Sequence, residues 1–495
     1  MPAIITNKFR QHNAEKFLTA ITGASNVFYL GIGRPQAFAT STRPDLRTEN
    51  EGTDATPLTP VDSIQEEFYT FDDLIAAKKV GASTTTDISY VIPRRNWTSG
   101  TVYDYYRHDY GNRITGTTTT QTANSGATTL WDSTYYVMSS TYQVFKCLDN
   151  NSDATSTVEP SVSDGETSIL TTGDGYRWKY MYTLSAAQQT NFLSTDFMAV
   201  STNSTVSSAA TDGAINIVKI KTAGTGFTTS TGSTISAIPI RGDGSSGTVS
   251  VTLTGGAISG VTVTNIGQDY TFGYITVADI NAGTNSAGGG SGAELDCIIE
   301  PKGGHGSNAI EELGGYFVML NTNFEAGEVA NSGDFTTVND FRRVTLLRDP
   351  KSGGSAATAT TLRNTKAILV TSPSGDFTVD EEINQATTGA VGKVVEWDSS
   401  NNILYYIQTR FNDEGVDSNG NLTAFSGTNT ITGQASSVTA TPSSSSTTVD
   451  SVVFTSGYNS GEIDADEGDV IYIENRSPIT RASDQTENVK LVIEF

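Results

Sequence analysis

Only three histidines, His12, His108 and His305, occur among the 495 residues. A serine or cysteine nucleophile activated by an imidazole therefore has few bases to draw on, and there is no Gly-x-Ser-x-Gly turn to hold such a serine. His305 lies in Gly303-Gly304-His305-Gly306, where glycines permit close backbone approach, but a lone histidine among glycines reads as a loop feature before it reads as a base. Gly242-Asp243-Gly244-Ser245-Ser246-Gly247 has the spacing of a dinucleotide fingerprint. That fingerprint needs a helix after its last glycine; here Val249, Val251 and Leu253 alternate as a strand, so the run is a turn. Asp464-Ala465-Asp466-Glu467-Gly468-Asp469 opens like a calcium loop, yet its twelfth position is Asn475, which cannot supply the bidentate carboxylate. A solvated acidic turn is expected there. Adjacent carboxylates such as Asp72/Asp73 and Glu381/Glu382 are commonplace among 54 acids and single out no glycosidase pair. The residues name no catalytic group, metal ligand or cofactor, and the chain is read as a non-enzyme.

Two runs fit protein contact better than catalysis. In Val91-Ile92-Pro93-Arg94-Arg95-Asn96-Trp97 a strand end is followed by two cations and an indole. Arginine clamps a neighbour's carboxylates in a way lysine does not, so Arg94, Arg95 and Trp97 are candidate interface residues, against the plainer reading of a solvated pair beside a packed tryptophan. Arg476, in a polar corner near the C-terminus, joins them. In Tyr176-Arg177-Trp178-Lys179-Tyr180-Met181-Tyr182 a period of two puts four rings on one face. A core-facing strand is the simpler reading; an exposed binding face is the other.

The totals constrain partners. Net charge is −24, from 54 acids against 30 bases, which repels a phosphate backbone and offers no basic stripe for counterion release; nucleic acid is not expected. Two cysteines, Cys147 and Cys297, share no metal or disulfide spacing, which suits a reducing compartment. The start Met1-Pro2-Ala3-Ile4-Ile5-Thr6 does not read as an export signal, and no apolar run reaches the 18 residues of a membrane helix. A soluble protein without a membrane anchor is expected.

The elements that must position these residues are mostly strands. Ser63 with Glu66 makes a capping box, and Ile64, Phe68, Phe71 and Ile75 follow at helical spacing toward Lys78, Lys79 and Gly81. A shorter helix is expected from Asn13 to Ile21, another from Ser185 to Leu193, and strands at 27–32, 88–92, 135–138, 142–148, 176–182 and 341–350. Pro/Thr-rich residues between Gly33 and Pro60 read as irregular. Val218 to Thr228 recurs 43 residues later as Val261 to Thr271, each an alternating strand ending in a glycine turn and an aromatic plug, Phe227 or Tyr270. This is a duplicated β module. Residues 353–441 read as another inserted β module, and Ser443 to Thr448 as a flexible joint. The division expected is 1–95 core, 96–203 second β-rich domain, 204–300 inserted duplicated module, 301–352 core return, 353–441 second insertion and 442–495 core again. At the end, Val470 to Ile473 alternate, Glu474 to Ser477 and Pro478 make a corner, and Val489, Leu491, Ile493 and Phe495 resume; a terminus that alternates to its last residue is expected to be docked.

Ile473-Glu474-Asn475-Arg476-Ser477-Pro478-Ile479, followed by Asp484-Gln485-Thr486-Glu487, resembles the C-terminus of the T4-type phage baseplate wedge family, gene product eight. Further matches fall in the same order: Thr6 to Arg10 with Gly31-Ile32-Gly33-Arg34, Val91 to Trp97, Gly173-Asp174-Gly175-Tyr176 with Trp178 and Tyr180, and Phe341 to Pro350. The resemblance implies a mainly β fold with a few helices, a multidomain β-sandwich architecture into which this chain inserts β modules. It implies a homodimeric structural subunit of the virion tail baseplate, contacting other baseplate wedge proteins and assembled in the host cytoplasm. The chain departs from the family pattern by its two insertions and by Ser477, where a second proline is expected. The competing reading is a glycan-binding or glycan-cleaving tail protein, prompted by the Ser/Thr/Gly-rich repeats with Phe227 and Tyr270.

Overall fold

The structure, a computed structural model, describes all residues except 1–2, 36–52, 54, 82–83, 85, 115–116, 328–334, 337–339, 411–414 and 480–485. The Pro/Thr-rich stretch before Pro60 falls largely outside the described residues, as do Asp484 and Gln485. The fold is mainly β and divides into two compact units. One comprises Met1–Glu15, Ser89–Met319 and Val492–Phe495; the other comprises Lys16–Ile88 and Leu320–Leu491.

In the first unit a four-stranded antiparallel sheet runs in the order Tyr136–Met138, Gln143–Asp149, Arg177–Thr183, Ile169–Thr171. Both its faces are buried, and every residue of Gln143–Asp149 but the last is buried, Gln143 and Lys146 included. Tyr176, Trp178 and Tyr180 pack on one face with Phe145 and Cys147. Tyr182 does not join them: the register slips between Val144↔Tyr182 and Phe145↔Tyr180, and the extra residue, Met181, turns Tyr182 into the opposite core beside Tyr136 and Met198. A bulge of one residue inverts the side-chain alternation beyond it, so the expected four-ring face has three rings. Ser185 caps the Ala186–Phe192 helix in a full capping box with Gln188, as its spacing predicts.

Residues 215–299 of this unit build their own core. Thr234–Pro239, Thr248–Thr254 and Ala257–Asn265 form one sheet, and Ser291–Ile298 pairs with Ile217–Thr225 in another. The repeat is visible in the backbone. Gly224 and Gly267 have φ of 66° and 65°, and two residues on Gly226 and Asp269 have φ of 76° and 62°. A Cβ on Gly224 would lie 2.8 Å from the ring of Phe227, and one on Gly267 2.6 Å from that of Tyr270. Both aromatic plugs therefore close over the glycine three residues before them, and both are buried.

In the second unit a five-stranded antiparallel sheet has the order Thr361–Arg363, Leu74–Val80, Phe28–Gly33, Arg343–Arg348, Asp469–Asn475. The N-terminal strand thus lies one strand away from a strand near the C-terminus. The helix capped by Ser63 spans only Ile64–Asp73, and Leu74–Val80 is a strand. Ile75 and Lys78 fit helical spacing, but five of the seven residues of Leu74–Val80 are buried between neighbouring strands, and that pairing overrides local periodicity. The other amphipathic helix is longer than expected, Asn7–Thr22.

Six strands between Lys366 and Pro442 form a closed barrel. Starting from Ile403–Ile407 the order is Ala390–Asp398, Glu382–Gln385, Ile431–Gly433, Thr439–Pro442 and Lys366–Thr371, whose first residues pair back with Ile403–Ile407. Closure removes the sheet edges, and the interior is filled by Ile368, Phe377, Val394, Leu404, Tyr406 and Phe425. Ser443 to Thr448 is no free joint: Ser443 is buried and donates its N–H to Leu369 O at 2.8 Å, and Thr447–Val449 is a strand. The C-terminal corner begins later than expected, because Arg476 N–H still bonds to Arg342 O at 2.8 Å. The following strand, Thr486–Glu494, lies in another sheet, against Phe317–Gly327. Phe495 N–H reaches Tyr316 O at 3.2 Å, so the last residue is docked.

Candidate contact residues and buried ionic centres

Arg94, Arg95 and Trp97 leave the Ile88–Pro93 strand in the first unit; Arg476 ends the Asp469–Asn475 strand in the second. Arg94 donates to Asn96 Oδ1 at 3.0 Å and Ser194 O at 2.8 Å. Arg95 donates to Ser133 O and lies 4.6 Å over the ring of Tyr136. Trp97 donates its indole N–H to Ser156 Oγ at 3.0 Å. Three of the four candidates, Arg94, Arg95 and Trp97, therefore also hold their own unit together, Arg94 and Arg95 by capping the carbonyls of Ser194 and Ser133, Arg95 also by its cation–π contact, and Trp97 by its indole hydrogen bond.

The glycine-flanked His305 is buried in an ionic centre that no local motif announces. Lys146, fully buried on the central strand, meets Glu312. Glu312 also accepts from Gly306 N at 2.8 Å and Asn308 N at 3.2 Å. Glu300 accepts from His305 N at 2.8 Å and from Asn216. The imidazole nitrogens stand 3.9 Å from Glu312 and 4.0 Å from Glu300, too far to bond, with the ring edge-on to Tyr106 at 4.7 Å. Burial, and then Lys146, push the His305 pKa down. Burial pushes Glu312 up, but Lys146 outweighs it and holds it at about 2. A neutral histidine walled in this way has no substrate to reach. It packs the centre, and the glycines serve the loop: a Cβ on Gly304 would lie 2.4 Å from Thr211 O.

A second centre lies wholly within the second unit. Asp380 receives Arg34 at 2.9 Å, Arg342 at 2.7 Å and Lys393 at 3.0 Å, while Asp340 takes Arg34 at 2.7 Å and Arg342 at 3.2 Å. Burial would raise the Asp380 carboxyl, yet Lys393 and the guanidiniums keep it well below the usual range; burial lowers Lys393 to about 8. Arg343, one residue along, is buried and donates to Glu66 at 2.6 Å, Thr70 at 3.1 Å and Asn475 Oδ1 at 2.8 Å. The sequence offers one cue to this arrangement, two adjacent arginines inside an apolar strand, and no cue to their partners.

The remaining sequence candidates settle as structural features. In the acidic run, Asp464 accepts from Gly353 N and Gly354 N, Asp466 pairs with Arg410 at 2.6 Å, Glu467 with Lys351 at 2.5 Å, and Asp469 with Arg348. The expected solvated turn is thus tied to its own chain. Among the described residues no cluster of His, Cys, Asp and Glu could hold a metal. Cys147 and Cys297 are free and buried, and burial raises Cys297 to about 12, so neither thiol is a reactive nucleophile. Phe227 and Tyr270, which prompt the glycan reading, are in the module's core and are not available to a sugar; Phe272 and Tyr274, 54% and 49% exposed, are the aromatic residues it shows to solvent. No helix among the described residues is long and apolar enough to cross a membrane.

Comparison with known families gives one finding. Residues 389–495 match the family model Phage-Gp8, described as Bacteriophage T4, Gp8. The matched span takes in the barrel from Ala390–Asp398 onward and the Asp469–Asn475 and Thr486–Glu494 strands. No curated protein matches the chain.

Proposed function

We propose, from the premise that residues 389–495 place this chain in the gene product eight family, that it works as a dimeric scaffold in the wedge of a contractile-tail baseplate. The family is one of structural proteins of the phage tail baseplate. The finer reading is that the chain joins neighbouring wedge proteins during assembly in the host cytoplasm and moves with them as a rigid body on contraction. The family match is the observation that carries it. The internal architecture supports it: the buried pair Lys146–Glu312 closes within one unit and the Asp380 cluster within the other, and a closed barrel and a paired sheet give stiff bodies suited to transmitting load.

Arg94, Arg95, Trp97 and Arg476 are proposed as contact residues. Arg476 has the clearest title, because no side-chain hydrogen bond or ion pair holds it among the described residues. The test is the mass of the purified chain by light scattering, then mixing with the other baseplate proteins of the same phage. A dimer that co-elutes with them supports the proposal; a monomer that joins none of them overturns it. Arg476→Glu should weaken co-elution at unchanged melting temperature, and unaltered co-elution would remove it from the interface; Arg94→Glu should weaken co-elution as well, with a lower melting temperature from the lost bond to Ser194 O.

A further inference from the structure

We propose that the outer edge of the Asp469–Asn475 strand is a docking site for an extended, basic segment of a partner protein, which adds to the five-stranded sheet as a sixth strand. The proposal stands on geometry and does not depend on the wedge reading. Asp469–Asn475 is the last strand of its sheet, and among the described residues no strand pairs with its outer side. Which groups are free follows from the register. Arg343↔Asn475, Val344↔Glu474 and Thr345↔Ile473 are opposed, and Arg476 N–H bonds inward to Arg342 O. Hydrogen-bonded and non-bonded pairs alternate in an antiparallel ladder, so Glu474 bonds inward and the N–H and C=O of Ile473 and Asn475 point away from the sheet. Such a row is a template for strand addition unless something covers it.

The edge borders a cleft of about 280 Å³ between the strand and the segment leading into the Ile64–Asp73 helix, with Val61, Asp62, Glu67, Val470, Ile471 and Ile473 on its walls. Ile471 is the bulged residue of the strand, since Leu346 and Leu347 oppose Tyr472 and Val470, and it is 42% exposed; Val61 is 63% exposed. These walls suit apolar side chains spaced along a strand. Their charge selects the partner. Asp62 and Glu67 line the cleft, no Lys or Arg does, and the helix N-terminus offsets only roughly half an elementary charge. A second copy of this chain would bring the same acidic wall against this one, so the occupant is a foreign segment carrying Lys or Arg among its apolar residues.

The test uses the full chain and fluorescence anisotropy with a labelled peptide of about nine residues that alternates valine with lysine and threonine. Its control carries glutamate for lysine. The lysine peptide should bind at least tenfold tighter. Ile473→Pro removes an outward N–H that takes no part in the native ladder, so the variant should keep its melting temperature and lose tenfold or more in affinity. Asp62→Lys with Glu67→Lys, both on the surface, should reverse the preference between the two peptides. Equal affinity for both peptides, or wild-type affinity in a folded Ile473→Pro variant, overturns the proposal.

Discussion

Lys146 and Glu312 show most directly how single residues set the stability of this chain. Removing one partner of a buried pair strands the other charge, at a cost of about 3–5 kcal/mol. Lys146→Met should therefore destabilise its unit by that order, and Lys146→Met with Glu312→Gln, which removes the stranded charge but keeps an acceptor for Gly306 N–H and Asn308 N–H, should recover part of it, as a calorimetric comparison will read out. The same centre sets a pH dependence. Glu312 is held at about 2 against an ordinary 4.5, so its stabilisation is complete above pH 4.5 and is lost as pH falls toward 2. His305 is pushed below its ordinary 6.5; the unfolded chain then takes up a proton that the folded one refuses, so stability also falls as pH drops below 6.5. Melting temperature should decline from pH 6.5 downward, and His305→Gln should flatten the part between 6.5 and 4.5.

At the scale of elements, the duplicated module makes a paired prediction. Gly224→Ala and Gly267→Ala each place a Cβ at positive φ against an aromatic ring. Left-handed backbone costs about 1–2 kcal/mol and overpacking about 1–3 kcal/mol more, so the two variants should melt lower by similar amounts; a large loss in one copy only would mean that the copies do not share a role. This much was legible, because strand, glycine and aromatic plug repeat in register. The helix end at Asp73 was not. Leu74–Val80 carries spacing that suits either element, and only the strands on either side of it decide. Tyr182 is a similar case, since a bulge at Met181 leaves no mark on the alternation.

At the scale of the whole molecule, distant stretches of chain are joined within each of the two units. Within the second unit Asp380 joins the barrel to Arg34 and Arg342 of the sheet region, and Asp380→Asn would leave cations facing each other. Limited proteolysis should then cut the barrel loops faster than in the wild type. Truncation after Ile473 removes Asn475, which binds Arg343 and, through its side-chain amide, Leu58 O at 3.1 Å. The Lys16–Ile88 stretch should lose protection from protease with it; a truncated chain still protected there would contradict the role given to the C-terminal strand.

The sequence by itself determined the mainly β character, the repeat, the capped helix starts at Ser63 and Ser185, and the likeness to the gene product eight family that the model match over 389–495 supports, because alternation, caps and motifs are local and survive without coordinates. Tertiary structure alone decided which charges meet. Lys146 and Glu312 are 166 residues apart and Arg34 and Asp380 346 apart, and every acid among 54 looks alike until the chain has folded around it. It also decided that the plugs Phe227 and Tyr270 are core, that the Lys366–Pro442 strands close into a barrel, and that among the described residues no strand pairs with the outer edge of Asp469–Asn475. Closure and edge are properties of pairing order, and pairing order lies in no single segment.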